Sequence, residues 1–406
     1  MNQKLNSKKA TRVYMWQNGL CITYLLIFRK FQEFLKANGW EIVNKPADAE
    51  WIVTGACGSF LPVIDDYLRH IESYLRGGKK VLVYGCLPKI TPERYHEYEK
   101  RANLLIPPER PELIEELIPN ARVRWSDIPN NGEFRREDYR NYDPTRKYVL
   151  IQYGCSIECT YCPHVKGIGK NVSRSKKEVI NEVNSMLNNG AKTIFLEGRD
   201  IGSWGIDLKQ QDSFPSILEE ILTLPGNFDV YVNQFGANWA VHYGKRLFEL
   251  FENPKIRDVH IPIQTTSERL LTLMGRNPNV KKLSPLLKSL RVNRPNLMLR
   301  TDLIIGFPTE TEEELNDTLE FVKEHFDEVA CHGLELHPNT KLMEMKLPFF
   351  DQSLIEERVE RARKYLEESG VVAHRGGQVF KTMVKRERVM KKKRGRTHLS
   401  RGGIKK

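Results

Sequence analysis

Short apolar segments that resemble strands alternate with amphipathic helical segments along most of this 406-residue chain. A repeated β-α-β order with short, nearly continuous apolar strands predicts a parallel sheet that is covered by helices. We therefore predict an N-terminal α/β domain with an open parallel sheet over residues 1–127. Its strand patterns are at 12–16, 50–54 and 80–84, and its helical patterns are at 25–37 and 62–75.

A polar stretch rich in Asn, Arg, Asp and Pro, residues 128–146, has no periodicity and predicts a linker. The alternation then resumes over residues 147–343 and predicts a partial (β/α)6 barrel, because a full eight-stranded barrel needs a longer chain. A helical pattern at 354–368, within the segment 344–370, predicts a C-terminal helix. The six strand patterns of the predicted barrel are 148–153, 193–197, 228–233, 258–263, 297–305 and 328–336.

Three of the predicted helices begin with a capping box, in which a hydroxyl and a glutamate satisfy amides that the first turn leaves open. Gly190 lies where the first of these helices is expected to end. The boxes are Ser175 with Glu178, Thr311 with Glu314 and Ser353 with Glu356.

The charge of the chain is concentrated at its C-terminal end. Residues 371–406 hold 13 Lys or Arg and one acidic residue, which accounts for the formal net charge of +12 and leaves the rest of the chain formally neutral. A dense basic tail is typical of a segment that contacts a polyanion such as RNA, or of a solvated end that contacts nothing.

The chain carries the composition of an ordinary globular protein, with 40% hydrophobic and 29% charged residues. Its longest apolar stretch near the N-terminus, residues 20–28, is interrupted by Arg29 and Lys30, far short of the roughly 20 residues that a membrane-spanning helix needs. No signal peptide pattern precedes it. We therefore expect a cytoplasmic protein without a membrane partner, in which seven cysteines serve metal or catalytic chemistry rather than disulfides.

Three cysteines with the spacing C-x3-C-x2-C follow the first strand pattern of the predicted barrel directly: Cys155, Cys159 and Cys162. This is the strand end at which barrels of this type place their active sites. Three thiolates on one loop can hold three irons of a [4Fe–4S] cluster and leave the fourth iron open to a small ligand. A structural zinc site needs a fourth ligand, a position that His164 could take.

This spacing at the end of the first barrel strand resembles the radical S-adenosylmethionine (SAM) superfamily. The resemblance implies that the open iron binds the amino and carboxylate groups of SAM. It also implies that an electron from the cluster cleaves SAM to methionine and a 5′-deoxyadenosyl radical, which abstracts hydrogen from unactivated carbon.

Three further cysteines lie just past the ends of the strand patterns in the N-terminal domain: Cys21, Cys57 and Cys86. Ligands bind at this edge of open α/β sheets, so the three positions predict a second cluster with an open iron of its own. The alternative is that they are small buried hydrophobic residues, as free cysteines often are. Cys331 lies inside the sixth barrel strand pattern and is interpreted as a core residue.

These features together are similar to the methylthiotransferase family, whose members have an N-terminal three-cysteine domain, a radical SAM barrel and usually a small C-terminal RNA-binding barrel. The resemblance implies two SAM molecules, one that methylates sulfur on the N-terminal cluster and one that activates the substrate. It also implies a reductant such as flavodoxin or ferredoxin. The motifs that carry it are 18–21 (NGLC), 54–57 (TGAC), 84–86 (YGC), 154–163 (GCSIECTYCP), 196–205 (LEGRDIGSWG), 260–264 (HIPIQ) and 301–308 (TDLIIGFP).

Six residues outside the cysteines are candidates for contact with SAM. The resemblance places Tyr161 near the adenine, with core packing as its alternative role. Polar residues lie at strand ends, where a residue with only a packing role is expected to be apolar. A glycine at such a strand end lets the backbone approach a cofactor closely. These candidates are Glu197 and Asp200 for the amino group or ribose, Gln264, Asp302 and Gly306. No catalytic side chain can be assigned.

The chain departs from the family after residue 370, because only a short basic segment stands where the C-terminal RNA-binding barrel is expected. That barrel is thus predicted to be missing or reduced. Three functions remain open: methylthiolation of a tRNA adenosine next to the anticodon, with the basic tail as phosphate grip; methylthiolation of a ribosomal protein or another peptide; and a single-cluster radical SAM enzyme or a non-enzymatic electron carrier.

Overall fold

The computed structural model divides the chain into two compact units, the first formed by residues 1–132 and 163–170 and the second by the remainder. Three stretches lie outside the described residues: residues 18–20 of the NGLC motif, most of the predicted linker, and the basic tail from 377 onwards. No helix in the described part of the chain is long and apolar enough to cross a membrane. The structure describes residues 10–17, 21–59, 61–129, 131–132, 143–208 and 212–376.

The first unit contains a five-stranded, all-parallel sheet with the strand order β2-β1-β3-β4-β5. The strands are β1 (Arg12–Trp16), β2 (Glu41–Val43), β3 (Trp51–Gly55), β4 (Lys80–Tyr84) and β5 (Leu104–Ile106), followed by the short β6 (Asn131–Gly132). The helices are α1 (Ile22–Ala37), α2 (Leu61–Arg76), α3 (Leu87–Ile90), α4 (Pro92–Glu99) and α5 (His164–Gly167).

The predicted open parallel sheet of the N-terminal domain is confirmed. Central strands β3 and β4 are buried along almost their whole length, because helices cover both faces of a parallel sheet. Strands β2 and β5 are absent from the prediction; they are edge strands of only three residues each. Such short segments carry too little pattern to be recognised.

Helix α5 is part of the first unit, although its residues fall within the range 147–343 that the sequence analysis assigned to the barrel. The reason is close packing at Gly167. A Cβ atom there would lie 2.6 Å from Cγ1 of Ile90 and 3.0 Å from Cβ of Cys86. Only a glycine therefore lets α5 pack this closely against α3.

The second unit is built on parallel strands in the order β15-β14-β13-β12-β11-β10-β7, so neighbours in the sheet are neighbours in the chain. The strands are β7 (Arg146–Leu150), β8 (Gln152–Tyr153), β9 (Val172–Ser173), β10 (Thr193–Glu197), β11 (Asp229–Val232), β12 (Ile256–His260), β13 (Met298–Ile305), β14 (Glu328–Gly333) and β15 (Val372–Arg375), where β8 and β9 form an antiparallel pair. The helices are α6 (Lys176–Asn188), α7 (Phe214–Thr223), α8 (Ala237–Phe251), α9 (Glu268–Leu273), α10 (Ser284–Asn293), α11 (Glu312–His325), α12 (Lys341–Glu344) and α13 (Gln352–Glu368).

This topology confirms the predicted partial (β/α) barrel and adds a seventh parallel strand. Residues 372–375 were assigned to the basic tail, but they form β15, which pairs with β14 from Val372 opposite Glu328 onwards. The assignment was wrong because charge counting over 371–406 hid the short apolar run at its start. Burial of that run completes the sheet beside α13.

Two of the three predicted capping boxes form. Ser175 accepts a hydrogen bond from the Glu178 amide at 3.3 Å, and Thr311 accepts one from the Glu314 amide at 3.2 Å. The third prediction was wrong, because α13 begins at Gln352 with Asp351 in the N-cap position, which places Ser353 inside the first turn.

Gly306 at the end of β13 has a left-handed φ of +82°, and a Cβ atom there would lie 2.6 Å from Cγ1 of Ile355 on α13. We expect Gly306→Ala to lose about 1–2 kcal/mol from the left-handed backbone and a further 1–3 kcal/mol from overpacking. Gly370→Ala is the matched control, because Gly370 has a φ of +89° with no heavy atom within 4 Å. Urea unfolding of both variants measures the difference, and equal losses would contradict the packing argument.

Candidate functional site

The cysteines of the C-x3-C-x2-C motif lie in the loop after β8, with Cys159 buried and Cys155 and Cys162 half-buried. The Ile157 amide donates to Sγ of Cys155 at 3.4 Å, and the Cys162 amide donates to the Cys159 carbonyl at 3.2 Å. Burial raises the pKa of Cys155, and the charges of Asp200, Cys159 and Cys162 raise it further. The three thiols are therefore close enough to oppose one another's ionisation.

A second set of contacts fixes the middle of this cysteine loop to the end of α9. The Thr160 amide donates to the Met274 carbonyl at 3.0 Å, and Oγ1 of Thr160 donates to the Leu273 carbonyl at 2.8 Å. Arg276, two residues further on, donates through Nη1 to Sγ of Cys159 at 3.4 Å. No local sequence pattern marks Arg276 as part of this site, because its contact joins residues 117 positions apart.

The structure also brings Cys21, Cys57 and Cys86 together at one edge of the first unit's sheet. Cys21 is the N-cap of α1, Cys57 follows β3, and Cys86 is the N-cap of α3 after β4. The pKa of Cys86 is raised well above its ordinary value by a hydrogen bond with Cys57, by burial and by the charges of Cys57 and Cys21. The Gly58 amide donates to Sγ of Cys86 at 3.3 Å.

Both cysteine sets fit an iron–sulfur cluster by the chemistry of their donors. Thiolates are the form that binds metal, and a positively charged cluster core would favour the thiolates against the burial and mutual repulsion that raise these pKa values. Within the described ranges, no three His, Cys, Asp or Glu side chains converge on one point that could hold a single metal ion. A four-iron cluster does not need such a point, since each thiolate binds a different iron.

Cys331, in contrast, lies within β14 and away from both sets in the chain. It is fully buried, and burial raises its pKa to about 12. This environment agrees with its interpretation as a core residue.

Asp200, one of the candidate SAM-binding residues, is hydrogen-bonded to the cysteine loop. Its Oδ2 accepts hydrogen bonds from Oγ of Ser156 at 2.6 Å and from Nε1 of Trp239 at 3.0 Å. Its Oδ1 is buried without a hydrogen-bond partner, as is Oδ1 of Asn238. A Cβ atom on Gly236 would lie 2.6 Å from the Asn238 oxygen and 3.0 Å from the Asp200 oxygen, so both acceptors border the same small space. Such a pair suits a ligand that donates N–H or O–H groups.

Glu197 ends β10 and is engaged in a buried polar network. Nδ2 of Asn233 donates to Glu197 at 2.6 Å, and Asn233 accepts a bond from Nη2 of Arg300 at 2.5 Å. Arg300 in turn donates to Asp258 at 2.6 Å. The network explains why these polar groups are tolerated in the interior, because each buried charge has a partner.

Asp302 and Gln264 are held by their own contacts where β12 and β13 meet. Burial alone would raise the pKa of Asp302, but the imidazole of His260, 3.1 Å away, and that of His332 keep it well below its usual range. Gln264 has a left-handed φ of +67°, and its amide donates to the Asp302 carbonyl at 2.9 Å. Both residues are thus fixed in place before any ligand binds.

Tyr161 and Gly306 have structural contacts of their own. The Tyr161 ring lies edge-on to Phe307 at 6.4 Å, and its hydroxyl accepts a hydrogen bond from Arg276 at 3.4 Å. The space beside Gly306 is filled by Ile355. The Gly306 amide donates to a carboxylate oxygen of Glu310 at 2.8 Å. A role for either residue in SAM binding stays a prediction.

The burial of Glu197 makes a pH-dependent stability measurable. Burial raises its pKa from 4.5 to about 7, against the lowering effects of Asn233 and Arg300. The unfolded chain releases this proton near pH 4.5, so stability falls by roughly 3 kcal/mol as the pH rises to about 7 and is level above it. In Glu197→Gln we expect that loss to vanish, because glutamine still accepts the Asn233 bond and carries no charge.

The measurement is urea unfolding of the cluster-free protein at pH 5 and pH 8. Glu249→Gln, on an exposed side chain of α8, is the control and is expected to keep the wild-type pH dependence. An unchanged pH dependence in Glu197→Gln would contradict the prediction.

Comparison with known proteins agrees with these sites. Residues 149–322 match the Radical SAM superfamily. The chain is 31% identical over 307 residues to the ribosomal protein uS12 methylthiotransferase RimO of Thermotoga maritima. The aligned region covers 73% of this chain and 70% of that protein. It is 28% identical over 297 residues to a probable threonylcarbamoyladenosine tRNA methylthiotransferase of Pyrococcus horikoshii. That alignment covers 71% of this chain and 68% of the Pyrococcus protein.

The fold is shared with a solved structure, the radical SAM methyltransferase TsrM of Kitasatospora setae, with a TM-score of 0.59 at 14% identity over 82% of this chain and 75% of that one. At that identity the likeness concerns the fold alone. The resemblance that the sequence motifs indicated is confirmed by the two sets of relatives. This chain belongs to the radical SAM methylthiotransferase family.

Proposed function

We propose that this protein inserts a methylthio group into a tRNA adenosine next to the anticodon, using two [4Fe–4S] clusters and two molecules of SAM. The observation that carries the proposal is the presence of two separate three-cysteine sets, each gathered within its own compact unit. A single-cluster enzyme or an electron carrier gives no reason for the second set.

In the second unit, Cys155, Cys159 and Cys162 would hold the cluster that binds SAM at an open iron. When bound, this cluster supplies the electron that cleaves SAM. Asp200 is oriented by Ser156, which lies between two of the cysteines in the chain, so its free Oδ1 is available to accept from the amino group of SAM.

In the first unit, Cys21, Cys57 and Cys86 would hold the auxiliary cluster, whose chemistry is to carry the sulfur that is methylated and transferred. The Gly58 amide that donates to Cys86 stabilises the thiolate over the thiol. Cys57 has Ser59 as a further partner, with 3.2 Å between sulfur and hydroxyl oxygen. These two contacts orient the buried sulfurs of Cys57 and Cys86.

The choice of tRNA is supported by the similarity to the Pyrococcus protein, whose name gives a tRNA as its substrate. The basic segment 371–406 would supply contacts to phosphates. The second candidate function, methylthiolation of a ribosomal protein, is favoured by the 31% identity to the Thermotoga protein.

The test offers both substrates to the reconstituted protein under anaerobic conditions with SAM and a reductant such as flavodoxin or ferredoxin. Mass spectrometry of tRNA nucleosides and of peptides from uS12 then locates the added methylthio group. Modification of an adenosine supports the proposal, modification of uS12 replaces it by the second candidate, and the absence of both rejects the two substrates.

Deleting residues 377–406, which leaves β15 intact, should abolish retention on RNA at moderate salt.

A further inference from the structure

Arg276 is a half-buried cation in direct contact with the cysteine loop. Its Nη1 donates to Sγ of Cys159 and to the Tyr161 hydroxyl, both at 3.4 Å, and its Nη2 donates to the Pro262 carbonyl at 3.0 Å. The sulfur of Cys159 is therefore a direct acceptor of this positive charge.

The backbone before Arg276 is shaped to bring the guanidinium to this position. Gly275 has a left-handed φ of +68°, and a Cβ atom there would lie 3.0 Å from the Glu158 carbonyl oxygen. The two hydrogen bonds from Thr160 to the end of α9 hold the same stretch against the loop. The Leu342 amide donates to the Thr160 carbonyl at 2.8 Å from the other direction. The arginine thus has little freedom to leave the sulfur.

A hydrogen bond or a positive charge at a cluster thiolate favours the reduced cluster, because the reduced state carries one more negative charge. Arg276 is half-buried, so water screens its charge less than it would on the open surface. SAM cleavage requires the reduced state, so an arginine that donates to one of the three cysteine ligands bears directly on the first electron transfer.

We propose that Arg276 is a positioning residue that fixes Cys159 and raises the reduction potential of the cluster held by the three barrel cysteines. This inference rests on the proposed function, because it needs that cluster to be present. The same guanidinium nitrogen of Arg276 donates to Cys159 and to the Tyr161 hydroxyl. The hydroxyl therefore helps to orient the guanidinium and does not contact the sulfur through this bond.

The test measures the midpoint potential by anaerobic titration monitored by electron paramagnetic resonance. The full-length protein carries Cys21, Cys57 and Cys86→Ala in every sample, so that only the barrel cluster contributes. We expect Arg276→Gln to shift the one-electron equilibrium about tenfold towards the oxidised cluster, which corresponds to about 59 mV. Arg276→Lys keeps the charge and should recover part of that shift.

Arg269→Gln is the matched control, because Arg269 lies on α9, just before Arg276 in the chain, but is exposed and pairs with Glu314. It should leave the potential unchanged. A full complement of iron with an unchanged potential in Arg276→Gln overturns the inference, as does loss of iron from both the Gln and Lys variants, which would leave a folding role only. Absence of the barrel cluster from the reference protein would instead reject the proposed function.

Discussion

Replacing Cys155, Cys159 and Cys162 together by alanine should halve the iron of the reconstituted protein, from about eight to about four atoms per chain. It should also reduce SAM cleavage to background, because no open iron would remain in the second unit. The physical reason is that thiolates of one loop share one cluster, and the loss of all three leaves no ligand there. Iron and sulfide analysis after anaerobic reconstitution, with chromatography of 5′-deoxyadenosine, measures both quantities.

Cys331→Ala is the matched control for this experiment, since it removes a buried thiol that belongs to neither set. We expect it to keep about eight irons and full SAM cleavage. If the triple variant instead fell from about four irons to none, the N-terminal cysteines would hold no cluster. The two-cluster proposal would then give way to a simpler radical SAM enzyme.

The parts of the structure that the sequence predicted are those with a strong local pattern. The central strands β3 and β4 are continuous apolar runs, and the Ser175 and Thr311 caps are complete within four residues of chain. The meeting of Cys21, Cys57 and Cys86 followed from a rule of topology, because the carboxyl ends of parallel strands share one edge. The grouping could therefore be predicted although Cys21 and Cys86 are 65 positions apart in the sequence.

The features that the sequence did not reveal depend on contacts between distant residues. The buried network of Glu197, Asn233, Arg300 and Asp258 joins four strands or strand ends, and each member alone looks like an ordinary polar residue. Asn238 was missed in the same way, since its relation to Asp200 exists only through the close approach of Gly236. A local pattern predicts the helix or strand to which a residue belongs. Whether its charge is paired or free to bind a ligand depends on partners that are distant in the sequence.

The N-terminal cysteines allow a sharper test, because their loss should separate two activities that the barrel cysteines abolish together. In Cys21, Cys57 and Cys86→Ala we expect about four irons and continued formation of 5′-deoxyadenosine, with no methylthio group on the substrate. SAM cleavage needs only the cluster in the second unit, whereas the transferred sulfur is proposed to reside on the cluster in the first. Because Cys86 is fully buried and Cys57 nearly so, alanine leaves small apolar cavities there, and Cys331→Ala, in an equally buried position, controls for that effect. Methylthio transfer that persisted in the triple variant, with the iron content at about four, would place the sulfur source outside these cysteines and would reject the role proposed for them.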